Sequence, residues 1–220
     1  MQNGRLAEAK EAFRHAMTVA PKWWPPYRGM AKAQLLGKES LADVIDGLRR
    51  AKPVVDQNER LSEVLANLLL RQGKSDEAIV EYQETLRQHP KSDVAANNLA
   101  MLLVTYRSDA GSLNQARDLA VRFASSPSLD YRDTYGWVLY KRGEAAAAVP
   151  VFARIVAESP DAVVARYHLG MAQALAGNRA EARDNLMRAV DSGKRFPGLD
   201  EAKSALERLG GPAPEAAPRS

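Results

Sequence analysis

The run Gly143-Glu144-Ala145-Ala146-Ala147-Ala148-Val149-Pro150-Val151-Phe152-Ala153-Arg154-Ile155-Val156-Ala157-Glu158-Ser159-Pro160 decides how this chain folds. Within it, Gly143, Ala148, Phe152 and Pro160 stand at intervals of 5, 4 and 8 residues. The same intervals separate Gly4, Ala9, Phe13 and Pro21, and again Gly73, Ala78, Tyr82 and Pro90. Gly177, Ala182 and Leu186 begin the series a fourth time, with Lys194 where the proline would stand. The pattern predicts a helix that starts after a turn glycine and sets a small residue against its neighbour. One turn later it buries a large apolar residue, and it stops at proline. A unit of about 34 residues built this way cannot bury its apolar stripe alone and must stack on neighbours like itself. The chain therefore reads as an all-α array of antiparallel helix hairpins.

Working outward, helices fall in pairs. An unpaired second helix occupies about Leu6 to Ala20. A first full hairpin follows over about Trp23 to Ala51, with Pro25-Pro26 in a first helical turn, where missing N–H groups matter least. This hairpin diverges: Gly37 and Ala42 fit the series, but Asp46 stands where a large apolar residue belongs. Glu59 to His89 forms the next, with Leu65, Ala66 and Leu69 as its apolar stripe. In Val94 to Ser126 a longer loop, Arg107 to Ser112, replaces the tight glycine turn before Ala116 resumes the pattern. Tyr131 to Ser159 and Ala162 to Ser192 are regular. Leu199 to Leu209 reads as a closing helix, apolar on one side through Ala202, Ala205 and Leu206 and charged on the other. The organisation expected is an array over 1–209, comprising a half-repeat 1–21, about five hairpins and a closing helix 199–209. A Pro/Ala-rich tail, 210–220, is expected to be disordered. Gly4, read as a turn glycine, implies that the first helix of the opening hairpin is missing, so that the chain begins inside a longer protein. It would also leave Ala9, Phe13 and Ala16 as an open apolar face able to meet another copy.

Composition narrows the function classes. Across 220 residues the formal charge is +4, from 31 basic and 27 acidic residues. The charges alternate, as in Glu8-Ala9-Lys10-Glu11, rather than gathering into the basic face that nucleic acid requires, so no nucleic-acid partner is expected. Cysteine is absent, which excludes disulfides and thiolate chemistry. No run approaches the roughly 20 apolar residues of a membrane span. His15, His89 and His168 belong to no metal-binding spacing, and there is no nucleophile elbow or phosphate-cradling loop. The reading is of a non-enzymatic chain with no cofactor.

These hairpins resemble tetratricopeptide repeats, most clearly in Tyr135-Gly136-Trp137 with Gly143, Ala148, Phe152 and Pro160, and in Leu169-Gly170-Met171 with Gly177, Ala182, Leu186 and Ala189. The resemblance implies a right-handed superhelical array whose first helices line a concave groove that receives a peptide segment of a protein partner. A narrower resemblance, to the C-terminal repeats of bacterial exosortase-associated, exopolysaccharide-linked tetratricopeptide lipoproteins, rests on Ala96 to Arg107, Tyr135 to Gly143, Tyr167 to Ala172 and Phe196-Pro197-Gly198. It implies a periplasmic or outer-membrane-associated envelope assembly, a cytoplasmic location being the alternative; the lipid-bearing cysteine of such proteins is not in this sequence.

Helical periodicity then sorts each first helix. With Leu99-Ala100, Tyr135-Gly136 and Leu169-Gly170 packed, the groove should carry Asn97, Met101, Asp133, Trp137, Tyr140, Tyr167 and Met171, joined by Tyr27, Asn67 and Arg71 from earlier hairpins. Aromatic rings give contact area at low entropic cost, methionine adapts to irregular partners, and asparagine pairs with peptide backbone. The competing reading is packing: Trp137 and Tyr140 as wedges between helices, and Asn97 or Asn98 bonded to a neighbouring loop. A clamp for a terminal carboxylate, which some members of the family form from paired Lys/Arg and Asn, is not expected, because Glu63, Asn67, Met101 and Asp133 occupy the corresponding region. A protein-interaction module is the favoured function; a self-assembling scaffold and an accessory domain of a larger enzyme are the alternatives.

Overall fold

The computed structural model describes residues 2–210, which form twelve α-helices and, among the described residues, no strand. The order is α1 (Gln2–Val19), α2 (Pro25–Leu36), α3 (Leu41–Ala51), α4 (Glu59–Arg71), α5 (Ser75–Gln88) and α6 (Asp93–Tyr106). It continues with α7 (Ala110–Ala120), α8 (Leu129–Lys141), α9 (Ala145–Glu158), α10 (Val163–Leu175), α11 (Arg179–Val190) and α12 (Leu199–Gly210). The chain divides into two compact units, the first running to Leu102 and the second starting at Leu103. Gly210 closes α12, and the rest of the expected disordered tail lies outside the described residues.

Helices join through one repeated device. Gly73, Gly143 and Gly177 adopt φ of 75°, 80° and 86°, the left-handed region that only glycine enters without strain. Each lets the next N–H reach back over the helix end: Lys74 to the Leu69 carbonyl, Glu144 to Leu139 and Asn178 to Gln173, all at 2.9 Å. Large residues then interlock with small ones. A Cβ on Gly136 of α8 would lie 2.8 Å from the Phe152 ring of α9, and one on Gly170 of α10 would lie 2.7 Å from Leu186 of α11. The equivalent small residues on the other first helices are Ala31, Ala66 and Ala100, each 2% exposed or less. Successive positions, Ala31, Ala66, Ala100, Gly136 and Gly170, are 35, 34, 36 and 34 residues apart.

The divergent hairpin is corrected by the same device. The left-handed residue there is Lys38, φ 60°, and the Glu39 N–H bonds the Gln34 carbonyl at 3.0 Å. Ser40 then caps α3 by accepting from the Asp43 N–H. The turn falls one residue later and the linker is one longer, so packing passes from Ala42 and Asp46, both exposed, to Val44 and Leu48, 1% and 3% exposed. The large apolar residue is present, two positions on.

Two further expectations shift. The α6–α7 loop is short, because Asp109 caps α7 by accepting from the Ser112 N–H at 2.9 Å and so draws Ala110, Gly111 and Ser112 into the helix. Ala120 is too small to fill the site four residues after Ala116, and Phe123, on a 3-10 turn and 2% exposed, fills the core beside Tyr131, 4.7 Å between ring centroids. Gly4 lies within α1 rather than at a turn. Ala9, Phe13 and Ala16 are half-buried, with Gly29 of α2 seated on the Phe13 ring.

Phe152 is fully enclosed. We expect Phe152→Ala to lower stability by about 3–5 kcal/mol, measured by thermal melting, with the loss concentrated in amides of the second unit on hydrogen exchange; an unchanged melt would remove Phe152 from the core. Gly136→Val should cost about 3 kcal/mol through overpacking, and Phe152→Leu in the same chain should recover part of that loss.

Candidate functional site

Two neighbouring first helices of the first unit, α2 and α4, hold a cavity of about 250 Å³. Trp24, which caps α2, and Arg28 form one wall; Arg60, Glu63, Val64, Asn67, Leu68 and Arg71 of α4 form the other. Leu68 is buried and Val64 half-buried, giving an apolar floor, while Arg28, Arg60, Asn67 and Arg71 are exposed. None of the three arginines has an ion-pair partner among the described residues.

Of the residues assigned from sequence, Asn67 and Arg71 are on this face. Tyr27 is not: its hydroxyl donates to the Pro21 carbonyl at 2.8 Å, and its ring turns to a separate cavity between α1, α2 and α3. Arg28, one residue and 100° further round the helix, takes the open position. The register shift in this hairpin hid it, since the small packing residue of α2 is Ala31. The signal for Arg60 and Arg28 was in the sequence: Arg60, Val64, Asn67 and Arg71 follow the spacing of one helix face, as do Trp24 and Arg28.

Asn97 and Asn98, on α6, face inward. The Asn97 amide donates to Asn98 Oδ1 at 3.2 Å, and Asn98 donates to the Tyr82 hydroxyl at 2.9 Å. Asn97 Oδ1 is enclosed without a partner. Burial, and secondarily the Glu63 and Glu81 carboxylates, push the Tyr82 phenol above its ordinary range. Met101 is half-buried.

In the second unit the predicted residues gather into a packed cluster rather than an open surface. Trp137 stacks on Tyr140 at 4.7 Å and on His168 at 4.0 Å, with Tyr167 at 5.8 Å. Trp137, Tyr167 and Met171 are 7%, 1% and 6% exposed. Tyr167 is covered because the closing helix reaches it: its hydroxyl donates to Glu201 of α12 at 2.7 Å, and Phe196 packs at 5.5 Å. Burial, then that bond to Glu201, raises the Tyr167 phenol; burial raises Tyr140 as well. Asp133 holds His168, with Nδ1 2.9 Å from Oδ1; a carboxylate only accepts, so Nδ1 carries the proton. Tyr140 keeps partial exposure, with the Lys141 ammonium over its ring and that of Trp137, at 5.9 and 5.0 Å.

A second polar network fixes α8 on α9. Arg132, 4% exposed, grips Glu158 through both terminal nitrogens, and Arg154 donates to the same carboxylate at 2.9 Å. Hydrogen bonds from Arg132 first and Arg154 second hold the Glu158 carboxyl down at about 2. Among the described residues no three His, Cys, Asp or Glu side chains cluster as metal ligands, and no helix is long and apolar enough to cross a membrane.

A model of the tetratricopeptide repeat matches residues 64–127 and 136–199, and a second one matches 1–22. The chain belongs to the tetratricopeptide repeat family. Curated proteins show no significant match to it. Among solved structures, it is similar to a tetratricopeptide repeat protein from Parabacteroides merdae, at 17% identity and a TM-score of 0.70, over 94% of this chain and 81% of that one. It is also similar to YrrB, described as a tetratricopeptide protein with an unusual peptide-binding site, at 21% identity and 0.63, over 89% of this chain and all of that one. A thermophilic tetratricopeptide protein from Thermus thermophilus aligns at 19% identity and 0.59, over 79% of this chain and 94% of that one. At these identities the likeness concerns the fold. Tetratricopeptide repeats bind protein or peptide partners, and the family is generally a non-catalytic interaction fold.

A carboxyl whose folded pKa lies below its ordinary 4.5 stabilises the fold above that pH and loses the contribution as pH falls toward about 2. Glu158→Gln should therefore flatten the acid limb of the stability curve over this window, as read by denaturant unfolding at stepped pH. An unchanged acid limb would show that the grip of Arg132 contributes nothing.

Proposed function

We propose that this tetratricopeptide chain is a non-catalytic interaction module that binds a partner segment on the α2–α4 face. The observation that carries the reading is the cavity in which exposed Arg28, Arg60, Asn67 and Arg71 surround an apolar floor on two adjacent first helices. Asparagine donates to and accepts from a peptide backbone, and arginine supplies planar, directional donors. The aromatic cluster of the second unit supports the fold of its closing helix, with Tyr140 and Lys141 as its accessible edge. The resemblance of the α6, α8 and α10 motifs to exopolysaccharide-linked lipoproteins favours a partner in a bacterial envelope assembly, periplasmic or outer-membrane-associated.

A photo-crosslinking side chain placed at Asn67 in the native host should capture a defined protein, whereas the same side chain at Val80, 61% exposed on α5, should not. Capture only at Val80, or equally at both positions, would move the interaction to the second helices and overturn the proposal.

A further inference from the structure

We propose that the α2–α4 cavity takes an extended acidic peptide segment whose carboxylates meet Arg28, Arg60 and Arg71. This rests on the interaction reading above and names the chemistry of the partner. The first argument is a contrast in how arginines are used. Most second helices carry an arginine matched within the protein: Arg14 with Glu11, Arg49 with Glu77, Arg87 with Glu84, Arg154 with Glu158 and Arg188 with Asp184. Those unmatched among the described residues, Arg5, Arg50 and Arg183, stand singly on separate helices. On the α2–α4 face three arginines share one cavity with a single carboxylate, Glu63, and none is paired among the described residues. Three uncompensated guanidinium groups in one concavity attract carboxylates and repel basic segments.

The second argument is length. Arg60 and Arg71 are eleven residues apart on α4. At 1.5 Å per residue that is about 16 Å, three turns, so both lie on one face. A single terminal carboxylate cannot meet charges that far apart. An extended chain advancing about 3.3 Å per residue spans the distance in about five residues. Between the arginines, Asn67 is placed to bond the segment's backbone, while Val64, Leu68 and Trp24 offer apolar contact. Glu63, facing the same cavity, disfavours an acidic residue opposite it. The segment that fits has acidic ends and an apolar centre.

The test uses the whole chain and two fluorescein-labelled, C-terminally amidated octapeptides, Glu-Glu-Leu-Ser-Leu-Ser-Glu-Glu and the same sequence with every Glu replaced by Gln, in fluorescence anisotropy. Amidation removes the terminal carboxylate. The acidic peptide should bind and the Gln peptide bind at least about tenfold more weakly, as loss of charge-assisted bonds requires. Arg28→Gln with Arg71→Gln should weaken the acidic peptide by a similar factor, whereas Arg183→Gln, on exposed α11, should leave it unchanged. Arg71→Glu should lower affinity for the acidic peptide and raise it for the Lys-substituted octapeptide, a gain that misfolding cannot produce. Equal binding of both peptides, or no effect of the double variant, overturns the inference. If the Gln peptide binds and is lost only on Asn67→Ala, the acidic inference fails while the interaction reading stands. Binding of neither peptide also sinks the acidic inference, and crosslinking at Asn67 decides the broader reading separately. Tighter binding of an unstructured DNA oligonucleotide than of the acidic peptide would replace it with a general polyanion site.

Discussion

The contact on which this architecture depends is a small residue on a first helix meeting a large one on its partner. Gly136 against Phe152 and Gly170 against Leu186 bring helix backbones close enough that even a methyl group would collide with the opposing side chain. Ala31, Ala66 and Ala100 hold the same place in the earlier hairpins. Because interiors are packed to crystal-like density, this contact fixes both the distance between paired helices and the rotation of each about its axis. Every other residue of a first helix is thereby assigned to the core, to the next helix or to an open face.

The turns serve that contact by delivering the second helix in register. A left-handed glycine does so in three hairpins, and Lys38 does so in a fourth at some conformational cost. When the turn lengthens, the chemistry of the packing sites survives and only their numbering moves, from Ala42 and Asp46 to Val44 and Leu48. Phe123 compensates in the same spirit, filling from a 3-10 turn a space that Ala120 leaves. The core is specified by volume at a place in space, not by a residue at a fixed count along the chain.

Charge is distributed according to the same geometry. Many arginines of the second helices are matched to carboxylates, as Arg49, Arg154 and Arg188 are, and these exposed pairs contribute little beyond solvation. The α2–α4 face differs in gathering three unmatched arginines into one cavity, and such charge at a concave, partly apolar surface is a feature of recognition more than of stability. In the second unit the polar side chains of the first helices turn to structural use: Asp133 orients His168 within the aromatic stack, Arg132 clamps Glu158, and Tyr167 fastens the closing helix through Glu201.

Periodicity in the sequence determined the helices, their pairing and most of the core, because glycine, alanine, a large apolar residue and proline at intervals of 5, 4 and 8 admit few other structures. It also identified Asn67 and Arg71 as open positions. It passed over Arg60 and Arg28, although both stand at helical spacing from residues of the same face. For Arg28 the register set by the left-handed turn at Lys38, where the pattern pointed to Gly37, obscured the spacing. Nor did it show that Trp137, Tyr167 and Met171 would be enclosed. An aromatic residue on a first helix has the same spacing whether it faces a partner or a neighbouring helix, and only the arrival of α12 over Tyr167 decided which. Local spacing is written in the chain; the closure of one surface by a distant helix is a property of the packed array.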